Sequence, residues 1–324
     1  MKAIVLTAYG DVANLQLRKL PRLRPGPNEI KVRMAGAGIN PVDWKLRSGA
    51  LQAFMPLTLP AILGRDVSGE VFEVGPGVTQ FEVGARVMGL VTGGYATFAV
   101  APCEAWAAVP AGMDLVDAAA LPLALLTGAQ LIEEALHTRR GDVLLVTGAL
   151  GSVGRVAVFA AKARGAKVWA GVRSARRQEA LALDVDGVVA LDNDEEISAL
   201  PPLDSVADTI GGPTTTKLLD KIKPGGTIGS IVGEPAGAKE RGISVRALVT
   251  HADAARLATL AQCVADRALV LPIIMRMPLA RAGEAQSLAE HHAGGKVLLT
   301  GKPQAFATLP VTEANGGLRD RPAT

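Results

Sequence analysis

The chain has 324 residues, of which 49% are hydrophobic, 20% are charged and only 3% are aromatic, with a formal net charge of +3. This composition predicts a globular protein with a sizeable core and two domains. No dense Lys/Arg cluster with interleaved aromatic residues is present, which argues against nucleic-acid binding. The two cysteines, Cys103 and Cys263, form no close pair, so we expect a reducing, cytoplasmic location.

One apolar segment, Leu115–Ile132, approaches the ~18 residues that raise the question of a membrane span. Asp117, Pro122 and Gly128 interrupt it, and two glutamates follow it directly. We therefore interpret the segment as a buried helix between domains and expect no membrane association. The first ten residues are typical of a β-strand rather than of a signal peptide.

The first hundred residues are predicted to be β-rich and to form a barrel-like or sandwich domain, with no helix before Asp114. Short runs of Val, Ile and Phe are separated by Gly and Pro turns. The predicted strands are Ala3–Leu6, Glu29–Ala37, Val67–Val74, Arg86–Leu90 and Tyr95–Val100.

From Asp114 onward, helices and strands alternate, which predicts an α/β domain with a doubly wound parallel sheet. The predicted helices are Asp114–Leu136, Ser152–Ala163, Ala175–Leu183 and Arg256–Ala268. The predicted strands are Val143–Thr147, Lys167–Val172, Val188–Leu191, Ser205–Asp208, Thr227–Val232 and Lys296–Thr300. The segment Leu309–Thr324 lacks any such pattern and is interpreted as a disordered tail.

Three glycines between a predicted strand and a predicted helix indicate a dinucleotide-binding turn. The residues Gly148–Gly154 read GALGSVG, which has Ala149 at the first position of the G-x-G-x-x-G pattern. Gly151 would let the backbone approach a pyrophosphate, and Gly154 would let helix and strand pack closely. The cofactor-binding residues predicted for this turn are Leu150, Gly151, Ser152, Val153 and Gly154.

The second strand of this unit ends among arginines and not at an acid. The run from Val143 to Gln178 contains no Asp or Glu, whereas NAD-binding versions carry an acid that accepts the ribose hydroxyls. Guanidinium groups suit a 2′-phosphate because they are always charged and bind two oxygens at once. We therefore predict NADPH as the cofactor, held by Arg173, Ser174 and Arg177, with Arg176 in reserve.

Several motifs together resemble the zinc-independent medium-chain dehydrogenase/reductase family, in its quinone oxidoreductase (zeta-crystallin-like) branch. They occur in family order and extend to about residue 302. Besides the glycine turn, they are Gly38–Gly49 (GINPVDWKLRSG), Gly64–Glu70 (GRDVSGE), Gly93–Thr97 (GGYAT), Leu121–Gly128 (LPLALLTG) and Gly295–Leu299 (GKVLL).

The resemblance implies a GroES-like β-barrel domain, a Rossmann domain, a cofactor cleft between them and a homodimer. The implied boundaries are 1–113 for the catalytic domain, 114–250 for the NADP(H)-binding domain, 251–302 for the return to the catalytic domain and 303–324 for the tail. Zinc-dependent relatives carry a Cys ligand where this chain has Asn40, and Gly-His-Glu where it has Gly64-Arg65-Asp66. All four histidines lie outside these motifs, so we predict no metal.

Without zinc, hydride delivery to a conjugated carbonyl needs hydrogen-bond donors for the developing negative charge. The predicted catalytic donors are Asn40, Lys45 and Arg65, although relatives often have a tyrosine at the position of Lys45. Tyr95 is a weaker candidate, which we interpret as structural. We interpret Asp43 and Asp66 as residues that stabilise the loops. The resemblance also implies nicotinamide contacts from Thr127, Val232 and Gly233.

These residues predict an NADPH-dependent reductase that transfers hydride to a small electrophilic substrate, a quinone or an α,β-unsaturated carbonyl compound. Two alternatives stay open. One is an NADPH-binding, crystallin-like structural or regulatory protein with little turnover, because the tyrosine is missing and no acid is identified. The other is an enoyl-thioester reductase, which would need a long groove for a pantetheine arm.

Overall fold

The computed structural model describes residues 1–291 and 294–301. The N-terminal part is mainly β-structure with one helix. Its elements are β1 (Lys2–Leu6), β2 (Leu15–Lys19), β3 (Glu29–Gly38), α1 (Pro41–Ser48), β4 (Ala61–Ile62), β5 (Asp66–Val74), β6 (Arg86–Leu90), β7 (Phe98–Pro102) and β8 (Trp106–Ala108).

The central part alternates helices and strands. Its elements are α2 (Pro122–Gln130), β9 (Val143–Thr147), α3 (Ser152–Ala163), β10 (Lys167–Val172), α4 (Arg177–Ala180), β11 (Gly187–Ala190), α5 (Asp194–Ser198), β12 (Leu203–Asp208), α6 (Gly212–Thr216), β13 (Ile222–Ser230) and β14 (Ser244–Ala247). The remaining elements are α7 (Ala254–Ala265), β15 (Ile273–Pro278), α8 (Ala282–His291) and β16 (Lys296–Thr300).

The central strands form one parallel six-stranded sheet in the order β11-β10-β9-β12-β13-β14. The strand order reverses between β9 and β12, which is the topological switch point where doubly wound sheets bind their ligands. Strands β9, β10 and β12 are largely buried, as in sheets that helices cover on both faces, whereas the edge strand β14 is mostly exposed. The predicted Rossmann-type sheet is therefore confirmed.

The barrel sheet has the order β15-β16-β3-β5-β6-β8, and β7 pairs with β3. Strand β16 pairs antiparallel with the end of β3, so Leu298 lies opposite Gly38. The last strands of the described chain therefore join the N-terminal sheet. This pairing brings Lys296 beside residues that are more than 200 positions away in sequence.

Several sequence predictions about secondary structure are wrong, among them the helix Ala175–Leu183, of which only Arg177–Ala180 is α-helical. A helix, α1, occurs well before Asp114, because Pro41 at its first turn and Gly49 after its last turn delimit a segment too short for periodicity to reveal. The predicted helix Asp114–Leu136 is divided into a 3₁₀ turn at Asp117–Ala120, α2, and a π-helical turn at Leu131–Ala135. The strand predicted over Tyr95–Val100 is observed as Phe98–Pro102, so Tyr95 lies outside it.

Other predicted elements agree closely with the structure. The bounds of β9, α3, β10 and β16 are as predicted, because continuous apolar strands and a glycine-capped helix leave clear signals. No helix in the described ranges has the length and apolar character that a membrane crossing requires. The predicted tail Leu309–Thr324 lies outside the described residues.

Candidate functional site

The glycine turn connects β9 to α3 at the switch point of the parallel sheet. A Cβ atom on Gly154 would lie 2.2 Å from the carbonyl oxygen of Gly148, so only glycine fits where helix and strand meet. Gly148 itself has a φ of 62°, in the left-handed region. The turn is therefore as tight as a dinucleotide-binding turn requires.

The N-terminus of α3 is available to an anion. Gly151 is the exposed N-cap residue, and no side chain caps the helix. The first N–H groups of an α-helix have no partner within the helix, so those of Ser152 and Val153 can donate to phosphate oxygens. Leu150 contributes only its backbone, because its side chain is 5% exposed and packs in the sheet core. These residues fit a bound dinucleotide.

A buried aspartate that sequence analysis missed braces this edge of the sheet. The Oδ1 atom of Asp208 accepts hydrogen bonds from the hydroxyls of Thr147 at 2.9 Å and Thr215 at 2.7 Å, and from the amide of Gly211 at 3.0 Å. It thus ties the carboxyl ends of β9 and β12 together beside the turn. Its position at the end of an apolar strand was the one available sequence signal.

The arginines at the end of β10 lie near two acids that follow the next strand, Asp192 in the turn after β11 and Glu196 in α5. Ser174 donates its amide and its hydroxyl to Asp192 at 2.8 and 2.7 Å, and Arg177 forms an ion pair with Glu196. The Ser174 hydrogen bonds, with a smaller contribution from the charge of Arg173, lower the pKa of Asp192. The segment Val143–Gln178 therefore contains no acid, but acids from later in the sequence lie close to its arginines in the folded protein.

Of these arginines, Arg173 is the one with an open guanidinium. Its side chain is exposed at the end of β10, and across the described ranges it forms no hydrogen bond or ion pair. The reserve candidate Arg176 is held by Glu179 at 2.7 Å. Arg173 is thus better placed than Arg177 to receive a phosphate group.

Asn40 lies in a buried polar cluster that joins three distant parts of the chain. Its Nδ2 atom donates to Asp66 Oδ2 at 2.9 Å, and its Oδ1 atom accepts a hydrogen bond from Lys296 Nζ at 2.6 Å. Lys296 also pairs with Asp66 at 3.1 Å, and both side chains are almost completely buried. An internal ammonium therefore lies between the residues at two positions where zinc-dependent relatives carry Cys and Glu.

Asp43 and Tyr95 extend this cluster into the barrel core. The Oδ2 atom of Asp43 accepts hydrogen bonds from the Asn40 amide and from the Tyr95 hydroxyl, each at 2.8 Å. Burial raises the pKa of Asp43 to about 7, against the smaller opposing effects of these hydrogen bonds. Tyr95 is completely buried, and burial followed by the charge of Asp43 raises its pKa. These hydrogen bonds connect Asp43 to the loop before α1 and to Tyr95, and the predicted structural roles of Asp43 and Tyr95 stay predictions.

Helix α2 connects the barrel cluster to the cofactor side. The amide of Leu123, in its first turn, donates to Asp66 Oδ1 at 2.7 Å. Further along, the Thr127 hydroxyl is 2.7 Å from that of Thr250, in the loop after β14. A Cβ atom on Gly128 would lie 2.5 Å from Val156, so α2 packs directly on α3. The contact between Thr127 and the nicotinamide stays a prediction.

The other predicted residues lie on several different elements. Val232 and Gly233 follow β13, where the Ser230 hydroxyl donates to the Gly233 carbonyl at 2.8 Å, and Gly233 is exposed with a φ of 109°. Lys45 is half-buried on α1, in the helix that Asn40 begins. Arg65 is half-buried and lines a cavity of about 250 Å³. Within residues 1–291 and 294–301, no three His, Cys, Asp or Glu side chains are grouped to hold a metal ion.

Comparison with known proteins defines the class. Residues 26–111 match the alcohol dehydrogenase GroES-like domain, and residues 152–261 match the zinc-binding dehydrogenase domain. A quinone oxidoreductase of Pseudomonas aeruginosa is 33% identical over 237 residues, which are 70% of this chain and 72% of that protein. The chain belongs to the quinone oxidoreductase branch of the medium-chain dehydrogenase/reductase family, which confirms the predicted resemblance.

Further relatives support this placement. The chloroplast envelope quinone oxidoreductase homolog of Arabidopsis thaliana is 37% identical over 180 residues, 52% of this chain, which thus spans about half (55%) of that relative. The quinone oxidoreductase structure from Coxiella burnetii has a TM-score of 0.83 at 27% identity, covering 93% of this chain and 99% of that one. A mycobacterial protein solved with NADPH has a TM-score of 0.81 at 26% identity, covering 93% and 100%.

Proposed function

We propose that the protein is an NADPH-dependent reductase of small quinones or α,β-unsaturated carbonyl compounds. The observation that carries this proposal is the uncapped α3 N-terminus at the glycine turn, which α2 connects to the donor-bearing cluster around Asn40. Support comes from the quinone oxidoreductase relatives and from the similar mycobacterial structure that contains NADPH.

When bound at the glycine turn, NADPH would supply the hydride for the electrophilic carbon of the substrate and become NADP⁺. The substrate gains a C–H bond, and the electron pair of its C=C or C=O bond moves toward the carbonyl oxygen. Asn40 and Lys45 would donate hydrogen bonds to that oxygen, and Arg65 would bind the same substrate from the neighbouring cavity. Asn40 Nδ2 carries two hydrogens, and Asp66 accepts one of them, so one is left for a substrate. Water completes the reaction by protonating the product.

The decisive experiment follows NADPH absorbance with a panel that includes a benzoquinone, cyclohex-2-enone and a crotonyl thioester. We expect NADPH oxidation with a quinone or with the enone, balanced by reduced product. Binding of NADPH without oxidation across the panel would contradict the proposal and favour the cofactor-binding alternative, which is consistent with Asn40 being only 4% exposed. Turnover of the thioester alone would favour the enoyl-thioester reductase.

We also propose that Arg173 selects NADPH over NADH through the 2′-phosphate. The Arg173→Ala variant should raise the Kd for NADPH by about 10- to 100-fold, as expected for a lost charge-assisted hydrogen bond of roughly 1.5–3 kcal/mol. The Kd for NADH should change much less. Arg177→Ala should have a smaller effect, because Glu196 already neutralises that arginine. Fluorescence titration measures both constants.

Arg176→Ala is the matched control, because Arg176 is in the same segment but is paired with Glu179. An equal loss of affinity for both cofactors in Arg173→Ala would refute the phosphate assignment.

We also propose that the protein is a cytoplasmic homodimer. Both cysteines are free, as expected in a reducing compartment. Strand β14 is an edge strand of the parallel sheet and pairs with β13 on one side. Its other edge offers backbone groups that a second copy could pair with.

A further inference from the structure

Arg65 has an unusual environment for an arginine. Its Nε atom is buried without a hydrogen-bond partner, and in the described part of the chain the guanidinium forms no ion pair. Other arginines with little exposure have carboxylate partners: Arg47 pairs with Glu290 and Arg155 pairs with Glu179. A partly buried charge without a partner destabilises the fold. Such an arginine is therefore expected where a bound ligand supplies the opposite charge.

The neighbouring acid cannot serve as that partner. Asp66 directs both carboxylate oxygens into the cluster, toward the Leu123 amide on one side and toward Asn40 and Lys296 on the other. The acids nearest to the cavity along its wall, Glu104 and Asp253, line a separate cleft of about 610 Å³ that meets the cavity at Ala252. The positive charge of Arg65 is therefore left for a ligand.

The cavity around Arg65 is small, and apart from Arg65 and Thr92 the side chains that line it are apolar. Its volume of about 250 Å³ leaves room for a single-ring compound. The lining residues are Arg65, Leu90, Val91, Thr92, Val100, Ala101, Pro102, Ala105 and Ala252.

We propose that Arg65 binds an oxyanion on the substrate, so that the preferred substrate is a compact, single-ring quinone or enone that carries a carboxylate or a similar group. This inference rests on the proposed reductase function and specifies its substrate class. The apolar side chains would contact the ring, and the guanidinium would donate hydrogen bonds to two oxygens of the anionic substituent, which is the bidentate geometry that it recognises best.

The test compares cyclohex-2-enone with the same ring carrying a carboxylate at C5, in the wild type and in Arg65→Gln. The wild type should prefer the carboxylate, and the ratio of the two kcat/KM values should fall about 10- to 100-fold in the variant. Arg65→Lys, which keeps the charge but loses the fork, should give an intermediate ratio. Arg86→Gln, on the same barrel but bound to the Met113 carbonyl, should leave the ratio unchanged.

An unchanged ratio in Arg65→Gln would overturn the proposal, even if both rates fell together. If the wild type reduces neither ring, the reductase function fails, and the oxyanion site is tested separately by binding. Cyclohexanecarboxylate should then raise the melting temperature of the wild type and not that of Arg65→Gln. An equal shift in the two proteins would overturn the site. NADPH affinity shows that the variant is folded.

Discussion

Lys296→Met should lower the free energy of unfolding by about 3–5 kcal/mol, the cost of leaving one member of a buried ion pair without its partner. Lys296 and Asp66 are 4% and 0% exposed, so water cannot solvate the carboxylate that remains. The substitution also removes the donor to Asn40 Oδ1 and frees the amide whose orientation the proposed reaction uses. Urea denaturation measures the stability, and kcat/KM measures the activity.

Two variants separate the charge effect from lost packing. Lys296→Met combined with Asp66→Asn removes both charges and should recover a large part of the stability, but not the activity. Lys162→Met breaks the surface pair with Asp184, whose side chain is 98% exposed, and should cost less than about 1 kcal/mol. If Lys296→Met and Lys162→Met shifted the urea midpoint equally, Lys296 would not hold a buried pair.

Gly154→Ala should damage both folding and cofactor binding. The added Cβ would lie 2.2 Å from the Gly148 carbonyl oxygen and 2.8 Å from the Ala149 Cα, and neither backbone atom can move without displacing the turn. Overpacking of this kind costs about 1–3 kcal/mol. We expect a lower urea midpoint together with at least a tenfold higher Kd for NADPH, measured by fluorescence titration.

Gly151→Ala is the matched control in the same turn. Gly151 has a φ of −72°, and its added Cβ would meet one atom, the Gly148 oxygen, at 3.2 Å. This variant should keep the stability of the wild type and lose only NADPH affinity, because the methyl group would occupy the approach of the pyrophosphate. Loss of stability in Gly151→Ala equal to that in Gly154→Ala would contradict the different roles assigned to the two glycines.

Sequence patterns predicted the cofactor half of the fold well because its signals are local. The strand before the glycine turn, the turn itself and α3 depend on contiguous residues with strong preferences. Patterns failed for α1 and for the divided helix around α2, where proline, glycine and tertiary packing override periodicity. Asp192 and Glu196 show the same limit at the cofactor edge, since they lie after the next strand, in the turn that follows β11 and in α5.

The sequence by itself determined the class of this protein: a GroES-like domain, a Rossmann-type sheet and a glycine turn that only a close backbone approach explains. Only the tertiary structure decided which charged side chains form pairs. The pairing of β16 with β3 buries Lys296 against Asn40 and Asp66, and among residues 1–291 and 294–301 no carboxylate pairs with Arg65. Charge pairing depends on distances between residues that are remote in sequence, and those distances are set only when the sheets assemble.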